Sequence, residues 1–332
     1  MTFLKAANIS KKGEGDFLLS KISFSQRKLE KIAIAGETGA GKSTLLRLIA
    51  GLIQPDSGEL WFEKKKITGP DDQLVPGHPG IAYLSQHFEL QKFLRVEQVL
   101  SYSNSLSDRE AGKLYDVCQI SHLLKRKTDQ LSGGEKQRIA ICRLLISSPG
   151  LLLLDEPFSH LDMVHKNTLK SVIRDIGEKL KITCILVSHD PQDTLSWADK
   201  ILVMKDGQII QKGKPEKIYK RPVNEYTGGL FGNYNIIHPE SFKAFSQLKA
   251  MKEFIADAGK KSIFLRPEHF KLVKKSKRAI RGTVESVEFV GSYCEMDILI
   301  SKTRIRVRSE KHNIKNGAAV YISVSPQDLR YV

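Results

Sequence analysis

The stretch Gly36-Glu-Thr-Gly-Ala-Gly41-Lys42-Ser43-Thr44 constrains this chain more than any other. It follows the short apolar run Lys31-Ile-Ala-Ile-Ala35 and opens a periodic segment from Ser43 to Leu52, closed by Gly51 and Pro55. The order is therefore strand, glycine-rich loop, helix. Glycines let successive backbone N–H groups turn onto phosphate oxygens, and the helix N-terminus adds positive potential. Gly36, Glu37, Thr38, Gly39, Ala40 and Gly41 form the candidate cradle, with Lys42 placed to reach terminal phosphates and Ser43 to ligate Mg²⁺; Thr44 completes the pattern.

Ile81 to Leu84, Leu151 to Leu154, Ile182 to Val187 and Lys200 to Met204 are further short apolar runs, of the kind shown by parallel strands buried on both faces. Leu151-Leu-Leu-Leu-Asp155-Glu156 ends one of them with two carboxylates, where an apolar surrounding tolerates charge only if it serves a cation or a reaction. Asp155 is the candidate to hold Mg²⁺ through water, and Glu156 to polarise the water that attacks a γ-phosphate. Leu131-Ser-Gly-Gly-Glu-Lys-Gln-Arg138 opens a second helix with Ser132 as N-cap. Ser132, Gly133, Gly134 and Glu135 thus make a second anion site. One nucleotide does not need two such sites, so the second is expected to serve the nucleotide of another subunit.

Between Glu89 and Gln130 the pattern is helical and polar, which suggests an inserted helical subdomain at about 88–145. From about Ser262 the texture changes to short alternating segments, read as a small barrel. With 332 residues, two domains are expected, at 1–225 and 226–332, with the boundary near 225–240. Charge excludes few partners: the chain carries +16, and its C-terminal third, from Glu225, holds 19 basic against 11 acidic residues. That balance calls for a polyanionic partner without choosing one. Lys271 to Arg278 and the alternating Arg304, Arg306 and Arg308 are read as a solvated loop and an outward barrel face, with anion sensing or closeness to anionic lipid headgroups as the alternative. Cys118, Cys142, Cys184 and Cys294 lack metal-ligand spacing and are expected to be reduced core thiols. The sequence shows no signal peptide and no apolar run of spanning length, so a cytoplasmic, soluble chain is expected, with any membrane link made through a partner.

The Gly36–Thr44 loop, Gln86, the Leu131–Arg138 stretch, Leu151–Glu156, Ser159-His-Leu-Asp162 and Ser188-His189-Asp190, in that order, resemble the nucleotide-binding subunit of ABC transporters over about residues 3–222. The tail, with Leu230-Phe-Gly-Asn-Tyr-Asn235, Leu265-Arg-Pro-Glu268 and Gly282 to Gly291, is similar to the oligonucleotide/oligosaccharide-binding-type (TOBE-like) regulatory domain of importer ATPases for sugars, polyamines, iron and oxyanions. The resemblance implies an α/β nucleotide-binding cassette with an inserted helical subdomain, followed by a small all-β barrel. It implies an importer subunit that hydrolyses MgATP at a homodimer interface. Gln86 would touch Mg²⁺ and the attacking water, Asp162 would lie at the subunit interface, and His189 would contact the γ-phosphate. The implied partners are a second copy, integral membrane permease subunits and, indirectly, a solute-binding protein. The implied location is the inner face of the plasma membrane. A nucleic-acid partner is not expected, since the chain has one cassette and no heptad run. Lys11 to Gly15 offers no aromatic residue for adenine, and Phe17 is the nearest one.

Overall fold

The computed structural model describes residues 2–13, 17–102, 104 and 106–332. Two compact units divide it, residues 1–215 and 216–332. The boundary expected near 225–240 thus falls inside the second unit. The physical reason is Arg266, whose guanidinium donates to the carbonyls of Tyr219, Gly228, Gly232 and Asn233. A fully buried cation leaves its cage intact only if those residues stay with it.

The first unit runs β1 (Thr2–Lys12), β2 (Phe17–Arg27), β3 (Ile32–Ala35), α1 (Lys42–Ile49), β4 (Ser57–Phe62), β5 (Lys65–Lys66) and β6 (Ile81–Leu84). It continues with α2 (Val96–Ser101), α3 (Asp108–Val117), α4 (Gly133–Leu145), β7 (Leu151–Asp155), α5 (Met163–Lys179), β8 (Thr183–Val187), α6 (Pro191–Trp197), β9 (Lys200–Lys205) and β10 (Gln208–Gly213). Six strands form one sheet in the order β10-β9-β3-β8-β7-β6, parallel except at β10. Every residue of β7 is buried. Leu151 and Leu153 enter one core with α1, while Leu152 and Leu154 enter another with α4 and α5. This is the period-2 alternation of a strand covered on both faces, and it is why the run reads as continuously apolar. A four-stranded antiparallel sheet, β2-β1-β4-β5, which the sequence reading did not anticipate, closes the first of these cores through Leu4, Ile9, Leu19 and Leu60.

The second unit contains α7 (Pro215–Lys220, from its second residue onward), α8 (Glu225–Leu230), β11 (Asn235–Ile237), α9 (Phe242–Phe245), α10 (Lys249–Ala258), β12 (Ile263–Leu265) and β13 (Phe270–Val273). After these come β14 (Ile280–Phe289), β15 (Cys294–Ile300), β16 (Thr303–Ser309), β17 (Ala319–Val324) and β18 (Arg330–Tyr331). Five strands order as β13-β17-β14-β15-β16, and the outer strands β13 and β16 approach each other, so the sheet curls toward closure. A separate three-stranded sheet, β11-β12-β18, joins it, and α9 and α10 add Phe242, Phe245, Leu248 and Met251 to the shared core. The three arginines of β16 are each tied to acids: Arg304 to Glu285, Arg306 to Asp297, and Arg308 to Glu295. All four cysteines are buried and free. Among the described residues, no helix is long and apolar enough to cross a membrane.

Candidate functional site

Parallel strands bring their C-terminal ends to one edge of the sheet. The loops leaving β3, β6, β7 and β8 therefore carry Gly36–Gly41, Gln86, Glu156 and Ser188–His189 to the same edge, although these are well separated in sequence. Gly36, Glu37, Thr38, Gly39, Ala40 and Gly41 form the turn between β3 and α1, while Lys42, Ser43 and Thr44 make the first turn of the helix. Gly41 sits at φ 89°, and a Cβ there would lie 2.6 Å from Leu19 Cδ2, so only glycine fits. Lys42 is buried, and its ammonium donates to the carbonyls of Gly36 at 2.8 Å and Glu37 at 2.7 Å. Burial pushes the Lys42 pKa down against the pull of Glu156 and Asp155.

Asp155 is 2% exposed and held at both oxygens. Ser43 Oγ donates to Oδ1 at 3.0 Å, and the Tyr83 hydroxyl donates to Oδ2 at 2.9 Å. Burial pushes the Asp155 carboxyl up, opposed by these two hydroxyls, and burial with Asp155 beside it drives the Tyr83 phenol up. Tyr83 was not among the residues singled out from the sequence. The signal was available, since a tyrosine inside the apolar run Ile81 to Leu84 needs a partner for its hydroxyl.

Glu156 follows at φ 48°, a left-handed backbone for a residue that bears a side chain. The turn points its carboxylate to the sheet edge, where Oε2 accepts from Gln86 Nε2 at 3.5 Å and from His189 Nδ1 at 3.1 Å. These three side chains line one cavity of about 320 Å³, together with Ser159, Lys166 and Asp190. Lys166 bridges Asp190 and the buried Asp193, which fixes the loop that carries His189.

Ser132, Gly133, Gly134 and Glu135 are not among the residues lining that cavity. They open α4, where Ser132 Oγ accepts from Glu135 N and the Glu135 carboxylate accepts from Ser132 N, a reciprocal cap. Asp162 caps α5 by accepting from His165 N at 3.0 Å. The expectation for adenine falls on Lys11 to Gly15 and Phe17, of which residues 14 and 15 and the Phe17 side chain lie outside the described residues.

A glycine-rich phosphate cradle, two carboxylates at the end of the neighbouring strand and a glutamine and histidine converging on one of them define a nucleotide-binding cassette. The ABC transporter family pattern matches residues 19–159 and the TOBE domain pattern residues 263–332. The sulfate/thiosulfate import ATP-binding protein CysA of Mesostigma viride is 33% identical, over 91% of this chain and 88% of its own length. The spermidine/putrescine import ATP-binding protein PotA of Spiroplasma citri is 31% identical, over 98% and 96%. A solved cassette, the dimeric post-hydrolysis MJ0796 bound to ADP and Pi, matches with TM-score 0.55 and 25% identity over 64% of this chain and 99% of its own. The chain belongs to the ABC transporter ATP-binding subunits, in the importer group that carries a TOBE domain. It is the ATP-hydrolysing subunit of an importer.

Proposed function

We propose that two copies of this chain enclose ATP between the phosphate cradle of one and the Ser132–Glu135 helix start of the other, and that closure drives a membrane permease. The observation that carries this reading is the separation of the two anion-binding ends. Ser43 of the cradle meets Asp155, and Gln86 and His189 meet the adjoining Glu156, whereas Ser132 and Glu135 make their side-chain contacts with His165 and Arg126, so a site that needs both draws the second from a partner.

In this reading the backbone N–H groups of Gly36 to Gly41 and the Lys42 ammonium hold the phosphates, with Thr44 on the same helical turn. Ser43, Asp155 and Gln86 supply hydroxyl, carboxylate and amide oxygens, the hard donors that suit Mg²⁺; when bound, Mg²⁺ neutralises charge building on the β- and γ-phosphate oxygens. Glu156 accepts a proton from the attacking water, which raises the water's nucleophilicity. His189 turns its ring from Glu156 toward the γ-phosphate, and Gln86 orients the water. Asp162 stands at the subunit boundary. The partners are permease subunits in the plasma membrane, approached from its inner face, with a solute-binding protein acting through them. The two relatives named above are named for anions and for polycations, so likeness to them does not select a cargo.

Mixing inactive chains tests the shared site. Lys42→Ala and Ser132→Arg variants are each expected to be inactive, and together to regain ATPase activity, because a mixed dimer holds one intact composite site. Activity no greater than the sum of the two alone sinks the shared-site reading.

A further inference from the structure

Asp162, His165 and Ser132 form a chain of contacts that none of the site's expected roles uses. Asp162 Oδ2 lies 2.6 Å from His165 Nδ1, and His165 Nε2 lies 3.4 Å from Ser132 Oγ. The Asp162 carboxyl is held below the usual carboxylate range by the His165 backbone N–H and ring, so the carboxylate accepts and Nδ1 carries the proton. In the neutral ring, Nε2 then offers a lone pair. One lone pair of Ser132 Oγ already takes the Glu135 N–H at 3.3 Å, which leaves the Ser132 proton to point at Nε2. Room for the ring comes from Gly134, where a Cβ would stand 2.9 Å from His165 Cδ2. The second glycine after Ser132 is therefore fitted to this histidine.

We propose that His165 is a positioning residue that ties the Asp162 loop to the Ser132 hydroxyl within one chain and so sets whether that hydroxyl can donate to a phosphate. The inference rests on the shared-site reading, in which Ser132 meets the partner's nucleotide. A phosphate oxygen and His165 Nε2 compete for one proton. When subunit contact draws Asp162 aside, the ring follows and the Ser132 O–H turns outward. Binding at one boundary loop is thereby coupled to the donor that completes the other chain's site.

Conservative variants separate the two ends of the link. Asn places a donor near the Nδ1 position, Gln an acceptor near Nε2, and Leu neither. Steady-state MgATP hydrolysis by the full chain is measured for each, with Ser132→Ala alongside and binding of a fluorescent ATP analogue to dilute protein as control. His165→Leu and His165→Asn are expected to change KM about 3- to 10-fold, the size of one hydrogen bond, with kcat within about 2-fold. His165→Gln stays near the wild type, and analogue binding to the chain's own cradle is unchanged in all. The His165→Leu change also vanishes in a Ser132→Ala background. Unchanged KM in His165→Leu, or a change that persists without Ser132, overturns the proposal. A Ser132→Ala chain with wild-type kinetics overturns the shared-site reading itself, and this proposal with it.

Discussion

The hydroxyl of Tyr83 donates to Asp155 Oδ2 at 2.9 Å, and Ser43 donates to the other oxygen of the same carboxylate. A carboxylate that is 2% exposed would otherwise lack partners. Tyr83→Phe removes one donor and leaves a buried acceptor unpaired, at a cost of about 1–3 kcal/mol. The calorimetric transition of the first unit is expected to fall by several degrees while that of the second stays in place. The Mg²⁺ concentration that gives half-maximal ATPase activity is expected to rise. An unshifted transition would show that this hydrogen bond does not hold Asp155.

Glu156 receives both Gln86 and His189, so its carboxylate is the acceptor on which these two donors converge. Glu156→Gln keeps the shape but cannot take a proton from water, so kcat should fall about 10²–10⁴-fold with nucleotide affinity retained. Turnover and equilibrium binding, measured on the same preparation, check this. Near-normal turnover would pass the role to His189.

Asp190 links the His189 loop to α5 through Lys166. Burial pushes the Asp190 carboxyl up, but Lys166 and the Gln192 N–H outweigh it and hold the group below the ordinary value. A carboxyl depressed in the folded chain stabilises at pH above its unfolded pKa of about 3.9, and that contribution is lost as pH falls through the folded value. Urea midpoints of wild type and Asp190→Asn should therefore differ by a constant amount from about pH 7 to 5 and converge below about 4. Convergence already near neutrality would contradict the assignment.

Arg266 is fully buried between the rings of Tyr219, at 4.2 Å, and Phe264, at 4.9 Å, with its N–H groups on four backbone carbonyls. Lysine keeps the charge but not the planar fork. Arg266→Lys should lower the stability of the second unit by about 2 kcal/mol or more, read as a fall in its own thermal transition. Wild-type stability would mean that charge alone suffices.

The same cage fixes where the chain can be cut. A protein ending after Lys214 should be folded and bind nucleotide, since the cradle, Glu156 and His189 all lie in the first unit. Ending it after Asn235 leaves the carbonyls of Tyr219, Gly228 and Gly232 without their guanidinium. That longer fragment should show lower solubility and stronger binding of a hydrophobic dye than the shorter one. Equal behaviour of the two fragments would place the division elsewhere.

By itself the sequence determined the parts that depend on neighbours along the chain. The Gly36–Thr44 turn, the Ser132 cap and the apolar run ending in Asp155 and Glu156 are set by φ freedom, capping chemistry and side-chain period over a few residues. Their order was enough to identify the cassette and the tail. Tertiary structure decided what meets across long separations. Tyr83 reaches Asp155 because β6 and β7 pair in a register that sets Tyr83 beside Leu153, and no local rule fixes register between strands that are distant in sequence. His165 reaches Ser132 only because α5 packs its first turn on the start of α4, at a glycine that leaves room for a ring. The division of units moved upstream of the change in texture for the same reason. One buried guanidinium gathers carbonyls from two short helices and the turn that follows them, and hydrogen bonds to distant backbone leave no periodic trace in the residues that accept them.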